Sequence, residues 1–150
     1  MFPSPNGRRG WLPVYALAAV LALLGAGCKG KIPTYPVRGK VVYKDGEPVR
    51  GGNNLTIVFE STTPPYHRSA ATVDNNGEFV LSFIEEGSGA PEGEHRIAFL
   101  PGEHTLASAE IALARWMPPR YLEFRTSGLK QNIVRGENYF VIEVDRPSKR

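Results

Sequence analysis

The side chains able to do chemistry are few and scattered. Three histidines, His67, His95 and His104, lie on separate segments. No two of them stand at i, i+2 or i, i+4, the spacings that set two imidazoles on one metal. A metal would need a composite site assembled in space, and isolated histidines more commonly serve as surface or satisfied boundary residues. Asp74-Asn75-Asn76-Gly77-Glu78 has the composition of a calcium loop. An EF-hand, however, wants its glycine at position 6, a closing Glu at 12 and helical flanks. This stretch lies between strand-like segments and reads instead as a hairpin turn in which Asn and Gly tolerate positive φ. Ser127, in Thr126-Ser127-Gly128, lacks the Gly-x-Ser-x-Gly elbow between strand and helix that exposes a nucleophile. Trp116, Met117, Tyr121 and Phe124 gather near an expected loop. Exposed aromatics of this kind form a contact surface for a protein or glycan partner, and packing over one end of a small core is the competing use.

The one thiol, Cys28, stands apart. A single cysteine makes no intramolecular disulfide, and a lone exported thiol is a liability unless it is modified. Arg8 and Arg9, an apolar run from Trp11 to Leu24, and then Gly25, Ala26 and Gly27 make the three regions of a secretory signal. The run is shorter than the about 20 residues that a spanning helix needs. Leu24-Gly25-Ala26-Gly27-Cys28 resembles a lipobox, in which the thiol receives diacylglycerol and the bond between Gly27 and Cys28 is cut; the usual Leu three places before the cysteine is Gly25 in this chain. Residues 1–27 are thus expected to be a lipoprotein signal peptide, and Cys28 the lipid-bearing first residue of the mature protein. Ordinary cleavage near Ala26, or an uncleaved anchor, is the alternative and places the domain on the same side of the membrane. Stable anchoring takes more than one acyl chain, which a diacylglyceryl cysteine supplies. Lys29 is compatible with outer-membrane sorting, and residues 28–36, with two prolines and no periodicity, read as a short tether.

The formal charge of +3 hints at nucleic acid until Arg8 and Arg9 are assigned to the signal; of the 18 basic side chains 16 then remain against 15 acidic ones, a near balance. No basic run with interleaved aromatics follows, so nucleic-acid binding is set aside. Sixteen Gly and 13 Pro punctuate short runs of Val, Ile, Phe and Thr, which is a β-rich pattern.

The elements that must position these residues fill 37–145. Val37 to Tyr43 reads as a strand ending in the Asp45-Gly46 turn. Leu55, Ile57 and Phe59 alternate with Thr56, Val58 and Glu60, which predicts one buried and one solvated face. Ser69 to Val73 and Phe79, Leu81 and Phe83 flank the Asn76-Gly77 turn as a hairpin. Glu85 to Glu94 is a glycine-rich loop between sheets, and His95 to Leu100 resumes a strand with Ile97 and Phe99 inward. Thr105 to Met117 carries Leu106, Ala109 and Leu113 at helical spacing, consistent with a short helix or a flexible insertion, and Pro118-Pro119 ends it. Leu129 to Val134 and Tyr139 to Val144 read as a closing hairpin with Phe140, Ile142 and Val144 on its core face; residues 146–150 are a charged tail. Seven or so short strands with frequent turns predict an all-β, antiparallel sandwich.

Several ordered segments carry a family resemblance: Tyr35-Pro36-Val37-Arg38-Gly39-Lys40-Val41, Asp45-Gly46-Glu47-Pro48-Val49, Thr72-Val73-Asp74-Asn75-Asn76-Gly77-Glu78-Phe79, Gly89-Ala90-Pro91-Glu92-Gly93-Glu94-His95-Arg96-Ile97, Pro119-Arg120-Tyr121 and Thr126-Ser127-Gly128-Leu129. Together they resemble bacterial lipoproteins with a carboxypeptidase-regulatory-like, transthyretin-like domain, with His95 where that family usually carries Tyr. The resemblance implies a Greek-key β-sandwich of the prealbumin type and no settled activity. The closing Tyr-Arg-Gly-Ser of transthyretin-like hydroxyisourate hydrolases is absent, and no two-Tyr, two-His arrangement like that of intradiol dioxygenases shows. The expectation is a non-enzymatic, lipid-anchored module at the bacterial cell envelope, needing no cofactor beyond the acyl lipid on Cys28. Its expected contact surface is Trp116, Tyr121 and Phe124, for an envelope protein or glycan. The alternative is an envelope hydrolase or metal-binding enzyme with a composite His site.

Overall fold

The computed structural model describes residues 30–102 and 108–148, and Ile32–Arg150 forms one compact unit. Its strands are β1 (Thr34–Tyr35), β2 (Val37–Tyr43), β3 (Leu55–Ser61), β4 (Arg68–Val73), β5 (Glu78–Val80), β6 (Ala90–Pro91), β7 (Gly93–Pro101), β8 (Leu129–Ile133) and β9 (Asn138–Val144). Between β7 and β8 lie helix α1 (Ala109–Leu113), a 3-10 turn (Pro119–Leu122) and the single-turn helix α2 (Phe124–Ser127). The strands make a sheet ordered β4-β3-β7-β8, a smaller sheet ordered β5-β2-β9, and the short pair β1-β6. The expected tether thus ends in a strand, with Tyr35 packed on the core.

Alternation of apolar residues explains the layering. Leu55, Ile57 and Phe59 of β3 and Ile97 and Phe99 of β7 are fully buried on the inner face of the larger sheet. Phe59 meets Phe79 of β5 at 6.1 Å and Phe140 of β9 at 6.4 Å between ring centroids, so the two sheets share one core. This is the expected all-β sandwich.

Three local expectations are corrected. Leu129 to Val134 and Tyr139 to Val144 do not form a hairpin: β8 pairs with β7, and β9 runs parallel to β2 from Val37 opposite Asn138 to Tyr43 opposite Val144. Asn138 fixes the crossing, its side-chain amide donating to the carbonyls of Val134 (2.9 Å), Gly136 (3.1 Å) and Pro36 (3.3 Å). The Asp74 turn does form, with Asp74 Oδ1 accepting from the Asn76 and Glu78 amides at 2.8 Å and Gly77 at positive φ. Its arms then diverge, β4 to β3 and β5 to β2, and are bridged again at Ala70–Ser82. Finally, the outer face of β3 is not simply solvated, since Val58 and Glu60 are buried there.

The smaller sheet has three strands against four, and the segment after β7 covers the remainder. α1 opens with the Ser108 hydroxyl accepting from the Ile111 amide. Leu113, Met117 and Tyr121 then enter the core, and Tyr121 meets Phe99 edge-on at 6.4 Å.

Candidate functional site

The aromatic residues expected to form one contact surface are dispersed. Tyr121 is 2% exposed. Its hydroxyl donates to Asp145 Oδ2 (3.0 Å) and accepts from Arg120 (2.7 Å) and from the Asp145 amide (3.1 Å). Lys44 (2.6 Å) and Arg120 also pair with Asp145. The Lys44 hydrogen bond, helped by that from Tyr121 and by the charges of Lys44 and Arg120, holds the Asp145 carboxyl below the ordinary range although desolvation opposes it. Tyr121 is therefore a tie between the 3-10 turn and the end of β9, and its assignment as a contact residue is corrected by this burial. Trp116 packs on the core and donates its indole N–H to the Arg50 carbonyl at 3.0 Å. Phe124 alone of the three turns outward, onto the larger sheet. Gly27, Cys28 and His104 lie outside the described residues.

The other candidates are engaged in packing. His67 stands edge-on to Phe83 at 5.3 Å. His95 is fully buried, with Nδ1 3.0 Å from the Gly93 carbonyl and Nε2 without a partner. Among the described residues no three His, Cys, Asp or Glu side chains gather as metal ligands would. The Ser127 hydroxyl donates to the Ile97 carbonyl at 2.5 Å and accepts from the Leu129 amide at 3.3 Å. It anchors α2 to β7, and Gly128 ends the helix in the left-handed conformation, φ 70°.

Sequence reasoning missed the most structured charged site. Strand register places Glu60 of β3 opposite Arg68 of β4 on one side and Arg96 of β7 on the other. Glu60 Oε2 accepts from Arg68 Nε at 2.5 Å, while Oε1 accepts from Arg96 Nε at 2.9 Å and Nη2 at 2.6 Å. The Glu60 side chain is only 5% exposed. Burial pushes its carboxyl up, but hydrogen bonds and charge from the two arginines outweigh this and hold it below the ordinary carboxylate range. Both guanidinium groups lie over Phe124, at 5.3 and 5.6 Å from the ring centroid, which seats α2 on the outer face.

This row floors a groove of about 350 Å³ walled by Leu122, Glu123, Phe124 and Arg125. An adjoining depression of about 390 Å³ shares Arg96, Phe124 and Arg125 and adds Glu94 and Lys130, which bridge at 3.1 Å. Arg125 has no ion pair among the described residues, and Arg68, its side chain 65% exposed, reaches Glu60 through Nε alone, so its Nη donors make no hydrogen bond among the described residues. A larger depression of about 800 Å³ opens where β4 and β5 diverge. Its lining has small Ala, Thr, Ser and Gly residues with Phe79, Val80 and the carboxylates Asp74, Glu78 and Glu86 and no cationic side chain. Asp74 Oδ1 is spent on the turn, whereas the arginine groove holds charges of both signs in a defined hydrogen-bonded row. The sequence signal was an acid on the outward face of a strand, and recognising it required knowing which arginines lie opposite.

No family model matches the sequence, and no curated protein matches it. Among solved structures, a DUF3823 family protein from Bacteroides ovatus is similar at 20% identity and a TM-score of 0.42, over 73% of this chain and 44% of that one. The chain thus spans less than half of that protein's length, and the functional reading rests on the chain's own residues.

Proposed function

We propose that this chain is an exported lipoprotein, cut between Gly27 and Cys28 and held to the bacterial cell envelope by diacylglycerol on Cys28, whose transthyretin-like, carboxypeptidase-regulatory-like sandwich is a non-enzymatic binding module. The observation that carries the reading is the chain's only cysteine standing directly behind an apolar export signal and its small residues. The domain behind it supports a binding role. Ser127, the hydroxyl weighed as a nucleophile, is tied into packing, whereas the groove beside Phe124 keeps the Arg68 Nη donors unbonded among the described residues. The contact surface accordingly moves from Trp116 and Tyr121 to Arg68, Phe124 and Arg125. No helix among the described residues is long and apolar enough to cross a membrane, and the proposed anchor needs none.

Growth with an alkyne fatty acid, followed by coupling to a fluorophore and membrane fractionation, tests the anchor. The wild type is expected to carry label and sediment with membranes, and Cys28→Ala to lose both. Equal labelling of the two would remove the proposal. Crosslinking with mass spectrometry in the native envelope is expected to recover partner adducts near Arg125 rather than near Trp116.

A further inference from the structure

We infer that the groove beside Phe124 binds the carboxylate of an acidic sugar within an envelope glycan. The inference rests on the reading of the sandwich as a binding module and names its ligand. Arg68 and Arg96 share one carboxylate, Glu60, which occupies the inward side of their guanidinium groups. Two cations against one anion leave a positive charge at the floor of the groove, and Arg125 on its wall adds a second. The Nη donors of Arg68, unbonded among the described residues on a largely exposed side chain, form a planar fork suited to two oxygens of one carboxylate. The ring of Phe124 holds both arginines from one side and limits their rotamers, so less freedom is lost when a ligand arrives.

The rim selects the charge of that ligand. Glu123 stands beside Arg125 without an ion pair among the described residues, and Glu94 faces the second depression. Such a rim tolerates a monoanion better than a phosphate dianion. The floor selects the class of molecule. The groove lies over the side chains of Arg68, Glu60 and Arg96 on the outer face of β4, β3 and β7, not along the outer edge of β4 or β8, so a peptide in it would not meet the ladder of backbone hydrogen bonds used in strand addition. A sugar asks instead for side-chain donors and acceptors close together, which Lys130 and Glu94 supply beside Arg96. The two depressions, about 350 and 390 Å³, lie at the lower end of small-ligand sites and meet at Arg125, as adjacent sugar residues of a chain would require.

The test uses the full-length protein purified from membranes in non-ionic detergent, titrated calorimetrically with tetragalacturonate, with its methyl-esterified form, with inorganic phosphate and with a short peptide bearing a free C-terminus. Tetragalacturonate is expected to bind, and more weakly at high salt. The ester and the Arg125→Gln variant are each expected to bind about tenfold more weakly or worse, the loss of one charge-assisted contact. Arg125→Gln leaves the Glu60 bridges intact, so its melting temperature should match that of the wild type. Absence of tetragalacturonate binding, equal binding of the ester or of Arg125→Gln, or tighter binding of phosphate or peptide would overturn the inference. Labelled Cys28 with no sugar binding sinks this inference and keeps the anchor; sugar binding with unlabelled Cys28 does the reverse.

Discussion

His95 shows how a single buried side chain can make the fold sensitive to pH. The Gly93 carbonyl can only accept, so Nδ1 carries the hydrogen of that 3.0 Å bond and the neutral ring leaves its lone pair on the buried, unpartnered Nε2. Burial pushes the His95 pKa below its ordinary value of 6.5; the Gly93 bond opposes this and the nearby His67 reinforces it. The unfolded chain therefore takes up a proton near pH 6.5 that the folded chain refuses until the pH is lower still. Stability is full above 6.5 and declines as pH falls through the window beneath it. His95→Leu should flatten the dependence of the denaturation midpoint on pH between 7.5 and 5.5, and an unchanged slope would refute this account. Glu60 contributes in a lower window. Its folded pKa lies below its ordinary value of 4.5, so the stability from its two bridges is present above that value and is lost as pH falls through the depressed one. Glu60→Gln should cost about 2 kcal/mol in urea unfolding at neutral pH, less than the about 3–5 for breaking a fully buried pair because Arg68 is largely exposed. Residue types alone revealed neither role. His95 stands on a strand whose alternation points it inward, but the missing partner at Nε2 is a property of the packed core. Glu60 alternates onto the outward face as expected, and only its cross-strand arginines bury it.

The elements were legible where a period marked them and illegible where a partner had to be chosen. Alternation in β3, β5 and β9 correctly predicted the inward faces, because side-chain direction in a strand is local. The pairing of β9 with β2 was not, since Arg135-Gly136-Glu137-Asn138 reads equally well as a hairpin turn or as a crossing between sheets; the Asn138 bonds to Val134, Gly136 and Pro36 decide it. The helical spacing at Ala109 to Leu113 was real, and its role became visible only once Leu113 and Met117 were placed in the core. β2 carries the strictest requirement of any strand. A Cβ at Gly39 would stand 2.1 Å from the Phe140 carbonyl oxygen and 2.7 Å from the Phe79 ring, so the glycine is what lets both neighbouring strands close on β2. Gly39→Val should destabilise by about 3 kcal/mol, the upper range for overpacking, since backbone must move. A Phe79→Ala background should recover part of that loss by removing the ring contact, which a double-mutant cycle in urea would measure. Strict additivity of the two changes would contradict the packing described.

At the scale of the whole molecule, the helical segment and the two sheets contribute to one core. Phe59 joins the larger sheet to both outer strands of the smaller one, and Met117, Leu113 and Tyr121 are buried with them. Trp116 is tied to this unit twice, through its indole N–H to the Arg50 carbonyl and through its own carbonyl, which accepts from the Tyr43 hydroxyl at 2.9 Å. The segment should therefore unfold with the sheets and not before them. The sequence provides the probe, since of its two tryptophans, Trp11 and Trp116, the proposed cleavage before Cys28 leaves Trp116 as the reporter. Urea unfolding of the cleaved protein, followed by tryptophan fluorescence for the segment and by far-ultraviolet circular dichroism for the strands, should give coincident midpoints and slopes. If the segment were a detachable cover, fluorescence would change first and the shared-core description would fail. Coincidence would also bear on the groove. Phe124 follows Tyr121 by three residues, so the core that fixes Tyr121 also fixes the wall on which Arg68 and Arg96 rest.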